Sequence, residues 1–212
     1  MSAVTDTCPV GETHCPLIDE VSELRRQVIT DPLTGLHNVR HFRSSLQQEL
    51  ERTRRTGMST VLMMVDLDHF KRINDTHGHE AGNQVLIATA RLLMSQTRML
   101  DVCCRYGGEE FAVILPSTEL MLARQVAERF RQALAAMTID VNETSLQVTA
   151  SIGLAASDGT APSEHLIEQA DSCLYQAKQD GRNRVEMVIP EEAESAVSAD
   201  EKDAIKGLFG GD

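Results

Sequence analysis

Two aspartates one residue apart, Asp66 and Asp68, follow directly on the apolar run Val61 to Val65 (VLMMV). A continuous apolar run of that length reads as a strand buried on both faces, so its end sets carboxylates where a sheet opens to a crevice. Hard divalent cations such as Mg2+ take oxygen ligands and bridge carboxylates to substrate phosphates. Lys71, one turn further along VDLDHFKRIND, brings a point charge suited to phosphate. D-x-D after a strand also occurs as plain solvated surface, and the pair alone does not separate the two.

A second acidic group narrows the choice. Gly107-Gly108-Glu109-Glu110 separates two strand-like runs, Val102 to Tyr106 and Phe111 to Leu115, and predicts a hairpin in which glycine supplies positive φ. If the two strand ends pair, Glu109 at the tip arrives beside Asp66, while Gly107 and Gly108 let backbone approach a nucleotide closely. Such a site suits phosphoryl or nucleotidyl transfer, where position and charge neutralisation outweigh covalent catalysis. Further on, YQAKQDGRNRV carries Lys178 and Arg182 at i and i+4, one face of a helix end. Two cations there suit a triphosphate, or are simply surface charge.

The elements that must position these groups are read from periodicity. A helical stretch carrying Leu46 and Leu50 runs through ERTRR to Gly57, and residues 80–97 read as a helix through Val85, Leu86, Ala88, Leu92 and Leu93. Helices are also expected from Thr118 to Ala136 and from Ser163 to Gln179, with a strand around Leu146 to Ala155 between them. The order helix, strand, helix, hairpin, helix, strand, helix implies a mixed sheet flanked by helices. From Pro16 to Ile29 the positions Leu17, Val21, Leu24 and Val28 give a short helix with a coiled-coil seam or an ordinary amphipathic face. Residues 1–15 lack such periodicity and read as flexible. The tail's Ser198 and Glu201 form a capping box ahead of Ile205, Leu208 and Phe209.

Composition bounds the rest. With 212 residues, 42% hydrophobic and 25% charged, the chain holds one folded domain with additional segments. A net charge of −12 argues against a nonspecific nucleic-acid binder. From Pro190 onward seven acidic residues stand against Lys202 and Lys206, so the domain itself is only moderately acidic. No apolar stretch is long enough to span a membrane and the N-terminus does not resemble a signal peptide, which points to the cytoplasm. Cys8, Cys15, Cys103, Cys104 and Cys173 are odd in number and scattered, hence read as reduced thiols, the adjacent pair pointing to opposite faces of a strand. Cys8, His14 and Cys15 lack the further ligand that a structural zinc needs.

From about Asp31 to Val185 the sequence resembles the GGDEF family of diguanylate cyclases, through DPLTGLHNVRHF, VDLDHFKRINDTHGHEAGNQVL, RYGGEEF, TASIGLA and ADSCLYQAKQDGRNRV. The resemblance implies an α/β (α+β), palm-like fold with a mixed, mainly antiparallel sheet flanked by helices, related to class III nucleotide cyclases. It implies a GTP-binding enzyme that makes cyclic di-GMP at a homodimer interface. Asp66 and Glu109, with the carbonyl of Leu67, would bind Mg2+ or Mn2+, and Lys71 would neutralise phosphate charge. Glu109, with Glu110 beside it, is the candidate base for the ribose 3′-hydroxyl. Asn74, His79 and the residue at position 83 would line the guanine pocket, and Lys178 and Arg182 would hold the terminal phosphates.

Two positions depart from the family pattern. Asn83 stands where an aspartate is usual, and an amide can accept from one guanine N–H but cannot offer two carboxylate oxygens. Val39 replaces the first of two arginines, a change expected to touch packing or interdomain contact more than catalysis. Arg98-Met-Leu-Asp101 matches the family's RxxD product-inhibition site, with Arg129 as a secondary contact. The resemblance therefore also implies feedback by cyclic di-GMP. The expected division is a flexible 1–15, a stalk or dimerisation helix 16–30 open to a regulatory protein, a catalytic domain 31–188 and an acidic tail 189–212. The competing reading is a catalytically silent receptor for GTP or cyclic di-GMP, and a third is a cyclase that accepts ATP.

Overall fold

The structure, a computed structural model, describes residues 29–141 and 144–188. Except for Ile29 and Thr30, the expected stalk over 16–30 lies outside the described residues, as do residues 1–15 and the tail from 189. Six strands form the main sheet in the order β1-β3-β4-β2-β7-β8. They are β1 (His37–Asn38), β2 (Thr60–Leu67), β3 (Val102–Arg105), β4 (Glu110–Leu115), β7 (Ala150–Ser157) and β8 (Val185–Met187). The outer pairs β1 with β3 and β7 with β8 are parallel, and the pairs between them are antiparallel. A separate hairpin joins β5 (Ile139–Val141) and β6 (Thr144–Leu146).

Five helices complete the described residues: α1 (Val39–Thr56), α2 (Phe70–His77), α3 (His79–Gln96), α4 (Leu120–Ala136) and α5 (Ser163–Gln179). They cover the sheet on both faces because strand side chains alternate. Val61, Met63, Val65 and Leu67 of β2 meet Val85 and Leu93 of α3 and Phe130 and Leu134 of α4. Leu62 and Met64 meet Phe42, Leu46 and Leu50 of α1 and Leu166 and Leu174 of α5. Every residue of β2 is buried, and each buried aliphatic side chain stabilises the fold by about 2 kcal/mol. The same alternation puts Cys103 in one cluster and Cys104 in the other, and burial drives their thiols up to about 11 and about 12.

The elements expected within the described residues are present, with five additions, the short strand β5 among them. FKRINDTH forms α2, a helix too short for periodicity to disclose, anchored by buried Phe70 and ended at Gly78 with φ 83°. The strand expected around Leu146 to Ala155 is two strands, β6 and β7, interrupted where the Thr149 carbonyl accepts the Asp68 N–H at 2.9 Å. The short edge strands β1 and β8 have no alternation long enough to read.

Candidate active site

β2 and β4 run antiparallel with Val65 opposite Phe111 and Asp66 opposite Glu110. Directly paired residues point to one face, so the carboxylate that shares a face with Asp66 is that of Glu110. The register thus falls one position from the expected one: Glu110, not Glu109, is directly opposite Asp66. Glu109 instead closes the ladder through its backbone, its carbonyl accepting the Leu67 N–H at 3.3 Å. Among the described residues its carboxylate has no hydrogen-bond or ion-pair partner and is left at the turn, half-buried.

The glycines of the turn also work differently from expectation. Neither Gly107 nor Gly108 takes a left-handed φ. At Gly107 an added Cβ would meet the far end of the Glu110 carboxylate, which folds back toward the turn and would have to swing away. Arg105 fastens the turn from outside, donating to the Gly108 carbonyl at 2.8 Å and pairing with Asp31 at 3.3 Å. Asp31 in turn accepts from the Thr34 N–H at 2.8 Å and hydroxyl at 2.6 Å, bonds that hold its carboxyl below the ordinary range against the opposing effect of burial. Sequence reasoning missed this link between DPLTG and RYGG, because the partners are 74 residues apart.

Lys178, in the last turn of α5, sets its ammonium 2.7 Å from the Asp66 carboxylate, which is only 12% exposed. Burial raises the Asp66 pKa, Lys178 opposes the rise, and the neighbouring Asp68 charge adds to it. Glu110 is raised as well, first by burial and then by the charge of Asp66, with Asp171 of α5 a further negative neighbour. Arg182 is not on the helix. α5 ends at Gln179, Gly181 takes φ 107°, and the Arg182 N–H returns to the Ala177 carbonyl at 3.0 Å, a Schellman closure. Arg182 still adds positive charge to the surroundings of Asp66.

Asp68 is buried and turned to other work: it accepts from the Thr149 hydroxyl at 2.6 Å, the Ser151 hydroxyl at 2.7 Å and the Asn183 N–H at 3.0 Å. Lys71 stands exposed in the first turn of α2. Asn74 on α2 lies against Gly82 on α3, where a Cβ would collide with its side-chain oxygen. A glycine inside a helical pattern was the available signal for that contact. His79 opens α3 and is exposed, while Asn83, one residue beyond Gly82, is half-buried.

The RxxD segment forms its own turn where α3 gives way to β3. The Arg98 N–H donates to the Asp101 carboxylate at 2.7 Å, and the Asp101 N–H donates to the Arg98 carbonyl at 3.0 Å. Arg98 and Asp101 line a cleft of about 260 Å3 with Leu36, His37, Met94 and Cys103. Arg129 on α4 is brought to the same end by bonds to Gln96, 2.7 Å to its side chain and 2.6 Å to its carbonyl.

The donor set tests whether a cation fits. Asp66 and Glu110 present carboxylates on one face and Asp66 already pairs a positive charge, a set of oxygens suited to a hard divalent ion. No group of three acidic, His or Cys side chains converges among the described residues, so backbone oxygen, substrate or water must supply further ligands.

These features meet in a protein class that comparison identifies. The family described as the GGDEF domain of diguanylate cyclases matches residues 28–184, and the chain belongs to that family. Diguanylate cyclase DgcP of Pseudomonas aeruginosa is 43% identical over 167 residues, 79% of this chain and 25% of that protein. The response regulator PleD of Caulobacter vibrioides is 43% identical over 160 residues, 74% of this chain and 35% of that protein. The match thus spans 25% and 35% of the length of these two relatives.

Among solved structures, diguanylate cyclase SiaD of Pseudomonas aeruginosa in complex with its activator SiaC has TM-score 0.75 and 40% identity, over 81% of this chain and 66% of that one. The coiled coil and GGDEF domain of DgcB from Caulobacter crescentus, in complex with c-di-GMP, has TM-score 0.78 and 30% identity, over 81% and 92%.

Proposed function

We propose that this chain is a diguanylate cyclase that condenses two GTP into cyclic di-GMP and two pyrophosphates between two facing copies. The observation that carries the reading is the register that sets Glu110 opposite Asp66, with Lys178 on Asp66 and Glu109 at the adjoining turn. In each half-reaction the ribose 3′-oxygen of one GTP bonds to the α-phosphorus of the other. The bond from that phosphorus to the bridging oxygen of the β-phosphate breaks, and pyrophosphate leaves. Glu109 is the candidate base that takes the hydroxyl proton, its carboxylate being without a protein partner among the described residues.

Asp66, Glu109 and the Leu67 carbonyl, joined by Glu110, would hold a divalent cation, Mg2+ or Mn2+, which when bound neutralises phosphate charge. Lys71, Lys178 and Arg182 hold the phosphates, Gly107 and Gly108 admit the nucleotide to the turn, and Asn74, His79 and Asn83 face the base. Each hydroxyl must reach a phosphate on the other copy, so a single domain binds GTP without turning it over.

The division proposed is a catalytic domain over 31–188, a stalk over 16–30 that aligns two copies or receives a regulatory protein, and a tail over 189–212. An activator accompanies SiaD and c-di-GMP accompanies DgcB, which supports a regulatory partner and a product site here at Arg98, Asp101 and Arg129. Among the described residues no helix is long and apolar enough to cross a membrane, and a cytoplasmic location is proposed.

Incubation with GTP or ATP and Mg2+, followed by chromatography, tests the activity. Cyclic di-GMP and pyrophosphate from GTP are expected; nucleotide binding without product would favour the receptor reading. Arg98→Ala is expected to relieve product inhibition, and inhibition equal to wild type would remove the feedback site.

A further inference from the structure

The D-x-D pair invites assignment of both aspartates to one cation, but the surroundings of Asp68 point elsewhere. Asp68 is 5% exposed, and its two oxygens already take three donors: the Thr149 hydroxyl, the Ser151 hydroxyl and the Asn183 N–H. Its own N–H is spent on the Thr149 carbonyl at 2.9 Å. The side chain therefore ties the end of β2 to the start of β7 and to the loop beyond α5.

That loop needs tying. Arg182 and Asn183 take φ 64° and 45° in succession, left-handed values that L-residues with a Cβ adopt at a cost and keep only where neighbours enforce them. Two bonds fix Asn183, one at its backbone and one at its side chain. Asp68 holds its N–H, and Arg131 of α4 donates to its side-chain oxygen at 2.8 Å. Arg131 is itself held by Glu128 at 2.9 Å. These anchors and the Schellman closure at Ala177 hold the backbone on either side of Arg182.

We propose that Asp68 is a positioning residue for nucleotide binding, which with Arg131 clamps Asn183 and thereby aims Arg182 at the terminal phosphates. The inference deepens the cyclase reading and rests on its assignment of Arg182 to phosphate. Asp68 contributes by geometry and does not ligate the cation.

The test is a double-mutant cycle on the full chain, reading affinity for a non-hydrolysable GTP analogue and for GMP, which lacks the terminal phosphates. Asp68→Ala is expected to weaken the triphosphate roughly tenfold and to leave GMP within about twofold. Combined with Arg182→Ala it should add no further loss, since both remove one interaction. Asp68→Asn, whose amide oxygen still accepts the Asn183 N–H, should retain most of the affinity and leave Mn2+ binding unchanged.

Fully additive losses, an equal loss for GMP, or loss of Mn2+ binding in Asp68→Asn would each overturn the proposal. If Arg182→Ala itself leaves triphosphate binding intact, the phosphate role of Arg182 fails first and takes the clamp with it. Should Asp68→Ala not fold, Arg131→Ala releases Asn183 at its side chain. It is expected to give about a threefold, triphosphate-specific loss with the same non-additivity, and no loss overturns the clamp.

Discussion

The ammonium of Lys178 sits 2.7 Å from the carboxylate of Asp66, the residue that the cyclase reading gives to the divalent cation. One positive charge of the protein thus occupies the partner position of that carboxylate. Lys178→Met is therefore expected to raise Mn2+ affinity of the nucleotide-free protein by about tenfold, the worth of one partly buried charge contact, while lowering turnover of GTP. Electron paramagnetic resonance of free Mn2+ reads the affinity. An unchanged or weaker affinity would show that the lysine does not compete for Asp66.

Glu110 and Asp66 both have raised pKa values, chiefly through burial, with the charge of Asp66 contributing at Glu110 and that of Asp68 at Asp66. A carboxyl raised in the folded state holds its proton above the pH at which the unfolded chain releases it. The stability this confers is complete below the ordinary carboxylate pKa and is lost as pH rises through the raised values. Metal-free protein should therefore lose stability as pH rises above the ordinary carboxylate range. Glu110→Gln should flatten that dependence and raise Tm at neutral pH by about 2 °C, while abolishing turnover. Thermal denaturation across pH checks it, and a Tm lowered at neutral pH would contradict it.

Arg105 joins Asp31 to the Gly108 carbonyl, and both members of the ion pair are largely buried. Arg105→Ala leaves the Asp31 carboxylate with Thr34 alone and frees the turn. A loss of about 2 kcal/mol in denaturant unfolding is expected, together with reduced turnover. Asp31→Asn should lose less, since the amide oxygen still accepts from Thr34. A stable Arg105→Ala protein of full activity would show that the turn holds without this brace.

Asn83 lies one residue beyond the glycine that Asn74 packs against, so under the cyclase reading two amides, not an amide and a carboxylate, would be offered to the base. An amide turned about presents either an acceptor or donors, whereas a carboxylate only accepts and so favours the N–H groups of the guanine edge. Asn83→Asp is expected to widen the preference for GTP over ATP by about tenfold, read by competition binding. An unchanged ratio would move guanine selectivity to other contacts.

Much of this was legible because the signals are local. The helix over Ser163–Gln179 matches its expected limits, and the apolar run VLMMV is the buried central strand it resembles. Helix α1 begins where Asn38 accepts the His41 N–H at 3.1 Å and ends at Gly57 with φ 72°, both short-range devices. Helix α2, by contrast, has one buried residue, and packing of Phe70 decides it.

The residue types alone determined that carboxylates, a lysine pair and an arginine were available for phosphate chemistry, and the signature motifs determined the family. Tertiary structure decided which glutamate faces Asp66, that Arg182 leaves the helix, and that Asp68 serves the loop beyond α5. The reason is physical. Strand register has a period of two, so a shift of one residue exchanges Glu109 for Glu110, and no local pattern counts register across a turn. Hydrogen bonds such as those of Asp68 join residues 81 to 115 positions apart, which only the folded chain brings together.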